Sequence, residues 1–287
     1  MPVEVTDSRL EISHPNGSSV ELLLYGANII SWKAPGKTDG AIEERLYTSP
    51  KAFLDGSKPV RGGIPVVFPF FGPPTRPEHS QLSQHGFARS EVWKFDGIVS
   101  DNADVVSVRL VFEPNDSVKA KFPAPFRLFY IVALFAHQLN TSLHVENPSE
   151  TQVLTFQALL HTYIRTEVAV STVTPLKGLT YINKLKPGLP EEVETRDEVD
   201  VKEPADFVYK LAGGDYKVVG NGKGIHVQAK GFKDVVIWNP GTDGKKMSDL
   251  AEGGWDHFIC VEPGAASYWI DLSPGSTWEG QQILTVL

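Results

Sequence analysis

The apolar residues of this chain fall in short runs that alternate with polar neighbours, the period of a half-buried strand rather than of an amphipathic helix. Leu10 and Ile12 alternate in this way, Pro15, Asn16 and Gly17 mark a hairpin turn, and residues 20–25 return as a second strand. Gly26 and Asn28 interrupt the pattern before residues 29–32, and Pro35, Gly36, Asp39 and Gly40 mark the next loop. Further strands are predicted over 91–98, 105–112, 126–135, 139–145, 153–164, 168–173, 208–210, 216–219, 225–229, 235–238, 258–261, 267–272 and 278–286. Gly220, Asn221 and Gly222 read as a turn between strands, because no helix follows to make a phosphate cradle. Helix is expected only as one turn at 51–54, closed by Gly56, and over 245–252. Many strands joined by short turns, with no linker, repeat or low-complexity tract, give an antiparallel all-β fold, sandwich or barrel, formed as one domain over residues 1–287.

One stretch breaks the alternation. Residues 58–89 read KPVRGGIPVVFPFFGPPTRPEHSQLSQHGFAR. Its prolines and glycines exclude both a helix and a plain central strand. The run Ile64, Val66, Val67, Phe68, Phe70 and Phe71 is nevertheless strongly apolar. An irregular segment pinned against a core is expected, with Arg61, His85 and Arg89 at its edges. A buried loop whose arginines cap carbonyls fits the composition equally well.

Composition narrows the function. Of 287 residues, 41% are hydrophobic and 22% charged, enough to bury a large core. Asp and Glu outnumber Lys and Arg 35 to 27, a net charge of −8. Such an acidic chain is ill suited to nucleic acid or to anionic membrane surfaces, so an anionic ligand requires a local arginine cluster. The single cysteine, Cys260, excludes an internal disulfide framework and fits a reducing compartment. The N-terminal residues show no basic-then-apolar leader, and no apolar run has the length of a membrane span, so a soluble, cytoplasmic, monomeric protein is expected.

No CxxC pair, HExxH helix, GxSxG elbow or P-loop is present, so neither a metal nor a cofactor is expected. Cys260 lies in an apolar strand and reads as a small buried hydrophobe. In TQVLTFQALLHTYIR, alternation puts Leu154, Phe156, Ala158 and Leu160 on one face and Gln157, His161, Tyr163 and Arg165 on the other. The second face lines a polar groove or is simply solvated. Glu262 closes the apolar run from Phe258 to Val261 and precedes Pro263 and Gly264. Partial desolvation there suits a base, while a pairing or capping role suits it as well. A histidine and a carboxylate on one polar face suit general acid–base chemistry, and the arginines suit a phosphate or carboxylate. Trp238 stacks on a sugar or fills the core.

The stretches KPVRGGIPVVFPFFG, QHGFAR, LLHTYIR, VVIWNP and CVEPG, in this order, resemble the aldose 1-epimerase (galactose mutarotase-like) superfamily, most of all its hexose-6-phosphate branch, the glucose-6-phosphate 1-epimerases. LLHTYIR departs from the wider superfamily's usual asparagine after the histidine-aromatic pair and agrees with that branch. The resemblance spans essentially the whole chain. It implies a large antiparallel β-sandwich with a sugar pocket in its concave face, and a sugar phosphate as the small-molecule partner. It implies His161 as acid and Glu262 as base in opening and reclosing a pyranose ring. It implies Arg61, Gln84 and Arg89 on the phosphate-handling side, His85 on the sugar, and an acidic ligand residue at Asp200, with Asp197 as its competitor. An epimerase for unphosphorylated aldoses and a non-catalytic carbohydrate-binding sandwich are the rival readings.

Overall fold

The computed structural model describes residues 2–287. Two eight-stranded antiparallel sheets supply most of the strands. In the outer sheet the order is Ser171–Thr174, Asp215–Gly220, Lys223–Lys230, Thr277–Val286, Gln138–Glu146, Arg127–Leu134, Val106–Phe112 and Lys94–Asp101. The inner sheet runs Glu192–Val193, Thr180–Asn183, Ala205–Tyr209, Asp234–Asn239, Phe258–Gly264, Leu159–Leu160 and Val66–Val67, with Tyr163–Arg165 also paired to Phe258–Gly264. A five-stranded meander over residues 3–44 and the pair Leu154–Phe156 with Ile270–Leu272 complete the β structure.

The core forms where the alternating apolar residues of the two large sheets meet. Val108, Leu110, Tyr130, Val132, Leu143, Val227 and Leu284 from one sheet join Val235, Ile237, Ile259 and Val261 from the other in one buried cluster. Each fully buried Val, Leu or Ile contributes about 1.5–3 kcal/mol relative to leaving it exposed. Thr162 ties the layers by a polar link: its hydroxyl donates to Gln282 Oε1 at 2.8 Å, and both residues are fully buried.

The centre of the inner sheet is buried on both faces. Every residue of Phe258–Gly264 is buried. Its odd-numbered members Ile259 and Val261 face the core, so Phe258, Cys260 and Glu262 face the opposite, concave side with Val236 and Trp238. Two irregular segments cover that side. The proline-rich stretch 58–89 reaches it through the short edge strand Val66–Val67 and the 3-10 turns Pro77–His79 and Ala88–Ser90. Phe68 packs on Phe87, Phe122, Phe126 and Phe156 with ring centroids 5.2–6.3 Å apart, which pins the segment as its apolar run requires. Gly86 is obligatory here: φ is +71°, and a Cβ would stand 2.2 Å from the Phe68 carbonyl oxygen. The second segment is the loop after Asn239. The Asn239 side chain donates to the Trp255 and Phe258 carbonyls at 2.8 and 2.7 Å and accepts from the Gly241 amide at 2.7 Å, folding the loop back over the sheet.

Several expectations are corrected. The strand expected over 153–164 is three short pieces, the first paired with Ile270–Leu272 and the other two with Phe258–Gly264. Gln157 breaks it, because its amide and side chain bond to Pro69 and Phe71 of the proline-rich stretch and to Ala266 and Tyr268 of the connection after Phe258–Gly264. Its second face is therefore not solvated: Gln157, His161 and Tyr163 are buried and only Arg165 is exposed. Residues 51–54 form no helix, and 245–252 holds only the end of a 3-10 segment, Gly241–Lys246. The α-helix among the described residues is Asp116–Lys121, capped by Asn115, whose Oδ1 accepts from the Val118 amide at 2.9 Å. Pro114, Asn115 and Asp116 were its signal, easily overlooked before six residues. No described helix is long and apolar enough to cross a membrane.

Candidate active site

On the concave side a cavity of about 240 Å3 opens between the inner sheet and its two covering segments. Its floor is Glu262, held by the strand Phe258–Gly264 and only 1% exposed. Neither carboxylate oxygen finds a hydrogen-bond partner within the protein. An unsatisfied buried polar group costs about 1–3 kcal/mol, and here three of them, the two Glu262 oxygens and His161 Nδ1, converge on one cavity. His161 stands beside it, with Nδ1 3.2 Å from Glu262 Oε1.

The backbone fixes His161 from both sides. Its amide donates to Pro65 O at 3.0 Å, and the neighbouring Thr162 is anchored in the opposite direction on Gln282. The imidazole lies parallel to the Tyr163 ring, 4.9 Å centroid to centroid and 11° apart, and edge-on to Trp238 and His85. Burial pushes the His161 pKa well down, helped by Arg89 and Arg61. Burial pushes the Glu262 carboxyl well up, helped by Asp206. Both shifts favour the uncharged forms, and imidazolium beside carboxylate is the tautomer of a neutral imidazole beside a carboxyl, with the same proton count.

Three cations face the cavity. Arg61 donates from Nε to Asp249 at 3.3 Å and from Nη1 to the Tyr163 hydroxyl at 3.2 Å, and these oxygens hold its pKa above the usual arginine value. Arg89 donates from Nη2 to the Gln84 carbonyl at 2.9 Å, while its buried Nε has no partner. Burial pushes Arg89 down to about 10, which leaves it charged at neutral pH. Lys184 lies 3.6 Å from Asp206 and 4.2 Å over the Phe71 ring. Burial raises the Asp206 pKa against the pull of Lys184.

His85 occupies the left-handed region at φ +67°, a conformation few non-glycine residues adopt. Its amide donates to Gly72 O at 2.8 Å, and its Nδ1 accepts from the Gly72 amide at 3.0 Å. That bond places the ring proton on Nε2, 3.3 Å from the end of the Gln84 amide, which accepts it when the amide oxygen rather than the nitrogen faces the ring. Burial keeps this imidazole neutral, with Arg89 adding to the effect.

The structure brings together Arg61, Gln84, His85, Arg89, His161, Trp238 and Glu262. It does not bring Asp200 there. Asp200 pairs with Lys202 at 3.8 Å and is 41% exposed, and its competitor Asp197 pairs with Lys177 at 2.7 Å. Val199 bridges to Val173 of the other sheet, which carries that segment away from the concave side. Asp206 occupies the cavity instead, opposite Trp238 in the ladder. Sequence reading also missed Lys184, Asp249 and Met247. Only Asp206 carried a signal, as a lone carboxylate within the apolar run Ala205–Tyr209.

A wider cleft of about 490 Å3 lies elsewhere, among Glu43, Arg45, Arg165, Glu167 and Lys223. Its charges pair at the surface, as Lys223 does with Glu43, and it holds none of the unpartnered buried groups found among the described residues. The chemistry therefore belongs to the smaller cavity.

The family profile described as aldose 1-epimerase matches residues 8–285. The chain is 30% identical over 261 residues to an Escherichia coli (strain K12) protein named "Putative glucose-6-phosphate 1-epimerase", covering 89% of this chain and 82% of that one. A Cenchrus ciliaris protein of the same name is 29% identical over 277 residues, 93% and 81% of the two chains. Among solved structures, a Salmonella typhimurium protein described as a "putative mutarotase" superposes with a TM-score of 0.86 at 23% identity, over 99% of this chain and 92% of that one. A galactose 1-epimerase from Lactobacillus acidophilus NCFM superposes at 0.74 and 14% identity, over 100% and 97%. At these identities the superpositions show a shared fold.

Proposed function

The chain belongs to the aldose 1-epimerase family, and from that premise we propose that it interconverts the α and β anomers of a hexose 6-phosphate, D-glucose 6-phosphate first among them. The observation that carries this reading is the unpartnered His161–Glu262 pair, 3.2 Å apart, in a cavity walled by Arg61, Arg89 and Lys184. The cavity volume lies below the roughly 300–1,000 Å3 of drug-sized sites and suits a monosaccharide. The E. coli and Cenchrus relatives support the phosphorylated substrate by their names.

The scheme moves two protons and no electrons. Glu262 takes the proton of the anomeric hydroxyl while His161 delivers one to the ring oxygen. The C1–ring-oxygen bond breaks and an aldehyde forms at C1. Rotation about C1–C2 presents the other face of the carbonyl. The ring-oxygen hydroxyl then adds to it, returning its proton to His161 while Glu262 protonates the new anomeric oxygen. Phosphate binding prepares the pair. Arg61 and Arg89 depress the His161 pKa, and a phosphate between them offsets their charge. The first step requires imidazolium beside carboxylate, and relief of the two guanidinium charges favours the imidazolium. Holding the far end of the sugar leaves C1 positioned yet free to rotate.

The reading extends to a monomer acting in the cytoplasm, supported by the reducing-compartment signature of one buried thiol. Magnetisation transfer between the α and β anomeric protons of glucose 6-phosphate tests the assignment of roles. Glu262→Gln and His161→Asn, each folded by circular dichroism, are expected to lose the enzymatic exchange by roughly 100-fold or more. Wild-type exchange in either variant removes that residue from the proton-transfer pair.

A further inference from the structure

The proton scheme leaves one donor on the cavity side of the inner sheet unused. Cys260 stands two residues before Glu262, so strand alternation puts the thiol and the carboxylate on one face. It is fully buried, with Tyr163 opposite it on one neighbouring strand and Trp238 on the other. A ligand atom from each of Cys260, His161 and Glu262 lies within 4.8 Å of the others. Donor atoms at about 2.0–2.3 Å from a tetrahedral cation stand roughly 3.3–3.8 Å apart, so a shift of about 1 Å closes the set.

A second observation points to a ligand. His161 Nδ1 and both Glu262 oxygens are buried and have no partner within the protein. Sulfur, imidazole nitrogen and one carboxylate oxygen form a donor set for a borderline-soft divalent ion, and a poor one for Mg2+ or Ca2+. We propose that Cys260, His161 and Glu262 form an inhibitory binding site for a cation of the Zn2+ class, exclusive with sugar binding.

The charge balance favours it. Binding forms bonds from the ion to Sγ, to an imidazole nitrogen and to a carboxylate oxygen, and the thiol and carboxyl protons leave to solvent. Thiolate and carboxylate together neutralise the ion, so no charge is added beside Arg61, Arg89 and Lys184. The fourth coordination position faces the cavity. The ion takes up both groups that transfer protons, so it stops the reaction rather than assisting it. The loss of activity rests on the proposed function; the coordination does not.

Co2+ is the spectroscopic probe and Zn2+ the inhibitor. Titration with Co2+ is expected to give a thiolate-to-cobalt charge-transfer band that saturates at a single ion per chain and is displaced by Zn2+ and by glucose 6-phosphate. Zn2+ is expected to suppress anomer exchange, and a chelator to restore it. Cys260→Ala is expected to keep basal exchange, lose the band and weaken Zn2+ inhibition by about tenfold or more. Cys260→Ser, closer in size, serves the same purpose if the alanine variant does not fold. Unchanged Zn2+ inhibition in the folded variants, a cobalt spectrum without thiolate character, or no binding of either ion overturns the site. A thiolate–cobalt band in a protein without anomerase activity would keep the site and overturn the proposed function instead.

Discussion

The imidazole of His161 and the phenol of Tyr163 lie stacked at 4.9 Å, and the Tyr163 hydroxyl accepts a hydrogen bond from Arg61 at 3.2 Å. One side chain thus sets both the plane of the proposed acid and the direction of a proposed phosphate ligand. Tyr163→Phe keeps the stack and removes the acceptor. A hydrogen bond to a charged group contributes about 1.5–3 kcal/mol, so KM for glucose 6-phosphate is expected to rise roughly tenfold with kcat little changed. A fall in kcat at constant KM would show that the hydroxyl acts on chemistry instead.

The acidic residue in the cavity is Asp206, not Asp200. Asp206→Asn is expected to lower kcat/KM by about tenfold, through loss of a partially buried charged contact. Asp200→Asn is expected to leave it unchanged, because its carboxylate is 41% exposed and paired only with Lys202. Steady-state kinetics on both variants separate the two positions, and the reverse ranking would contradict the placement of Asp206 at the sugar.

Glu262 makes stability depend on pH in a defined direction. Its folded pKa is raised well above 4.5 by burial, so above that value the folded state holds more protons than the unfolded state. Its contribution to stability is therefore lost as pH rises from about 4.5 towards the folded value. His161 acts in the opposite window: with a folded pKa pushed below 6.5, it costs stability as pH falls through that value. Glu262→Gln removes the first effect alone. The variant is expected to be more stable than wild type at pH 8, by about 1–3 kcal/mol, with the gap closing towards pH 4.5. Urea unfolding across this range reads it, and a gap that widens on acidification would contradict the assignment.

Gly86 supports the left-handed His85. Gly86→Ala places a Cβ 2.2 Å from the Phe68 carbonyl oxygen at φ +71°. A loss of about 1–3 kcal/mol of stability is expected, together with weaker substrate binding as His85 and Gln84 move. Equal stability and unchanged KM would show that the segment adapts.

Period-two alternation carried the architecture, because a sandwich is built from strands with one face in the core. It failed at 153–164, where Gln157 exchanges sheet bonds for bonds to the proline-rich stretch and to the connection after Phe258–Gly264, and both faces become buried. His161 and Glu262 stood out as polar residues in or at the end of apolar runs, and Arg61 and Arg89 as the edges of the proline-rich stretch, but local pattern left each with a structural alternative and only the family resemblance gave them roles. Lys184 and Asp249 did not stand out, because each sits in a loop of ordinary polar composition, and only the tertiary fold brings Lys184 to the cavity and Asp249 to Arg61. Asp200 misled because the segment 191–203 is rich in carboxylates, and nothing local distinguishes one that turns inward.

Ring opening of a phosphorylated hexose in this cavity is tested by following α–β exchange of glucose 6-phosphate and of glucose by NMR magnetisation transfer, with and without the protein. Faster exchange is expected for glucose 6-phosphate and little or none for glucose at equal concentration, with the preference reduced in Arg61→Met and Arg89→Met. Equal acceleration of both sugars, or of neither, would contradict it.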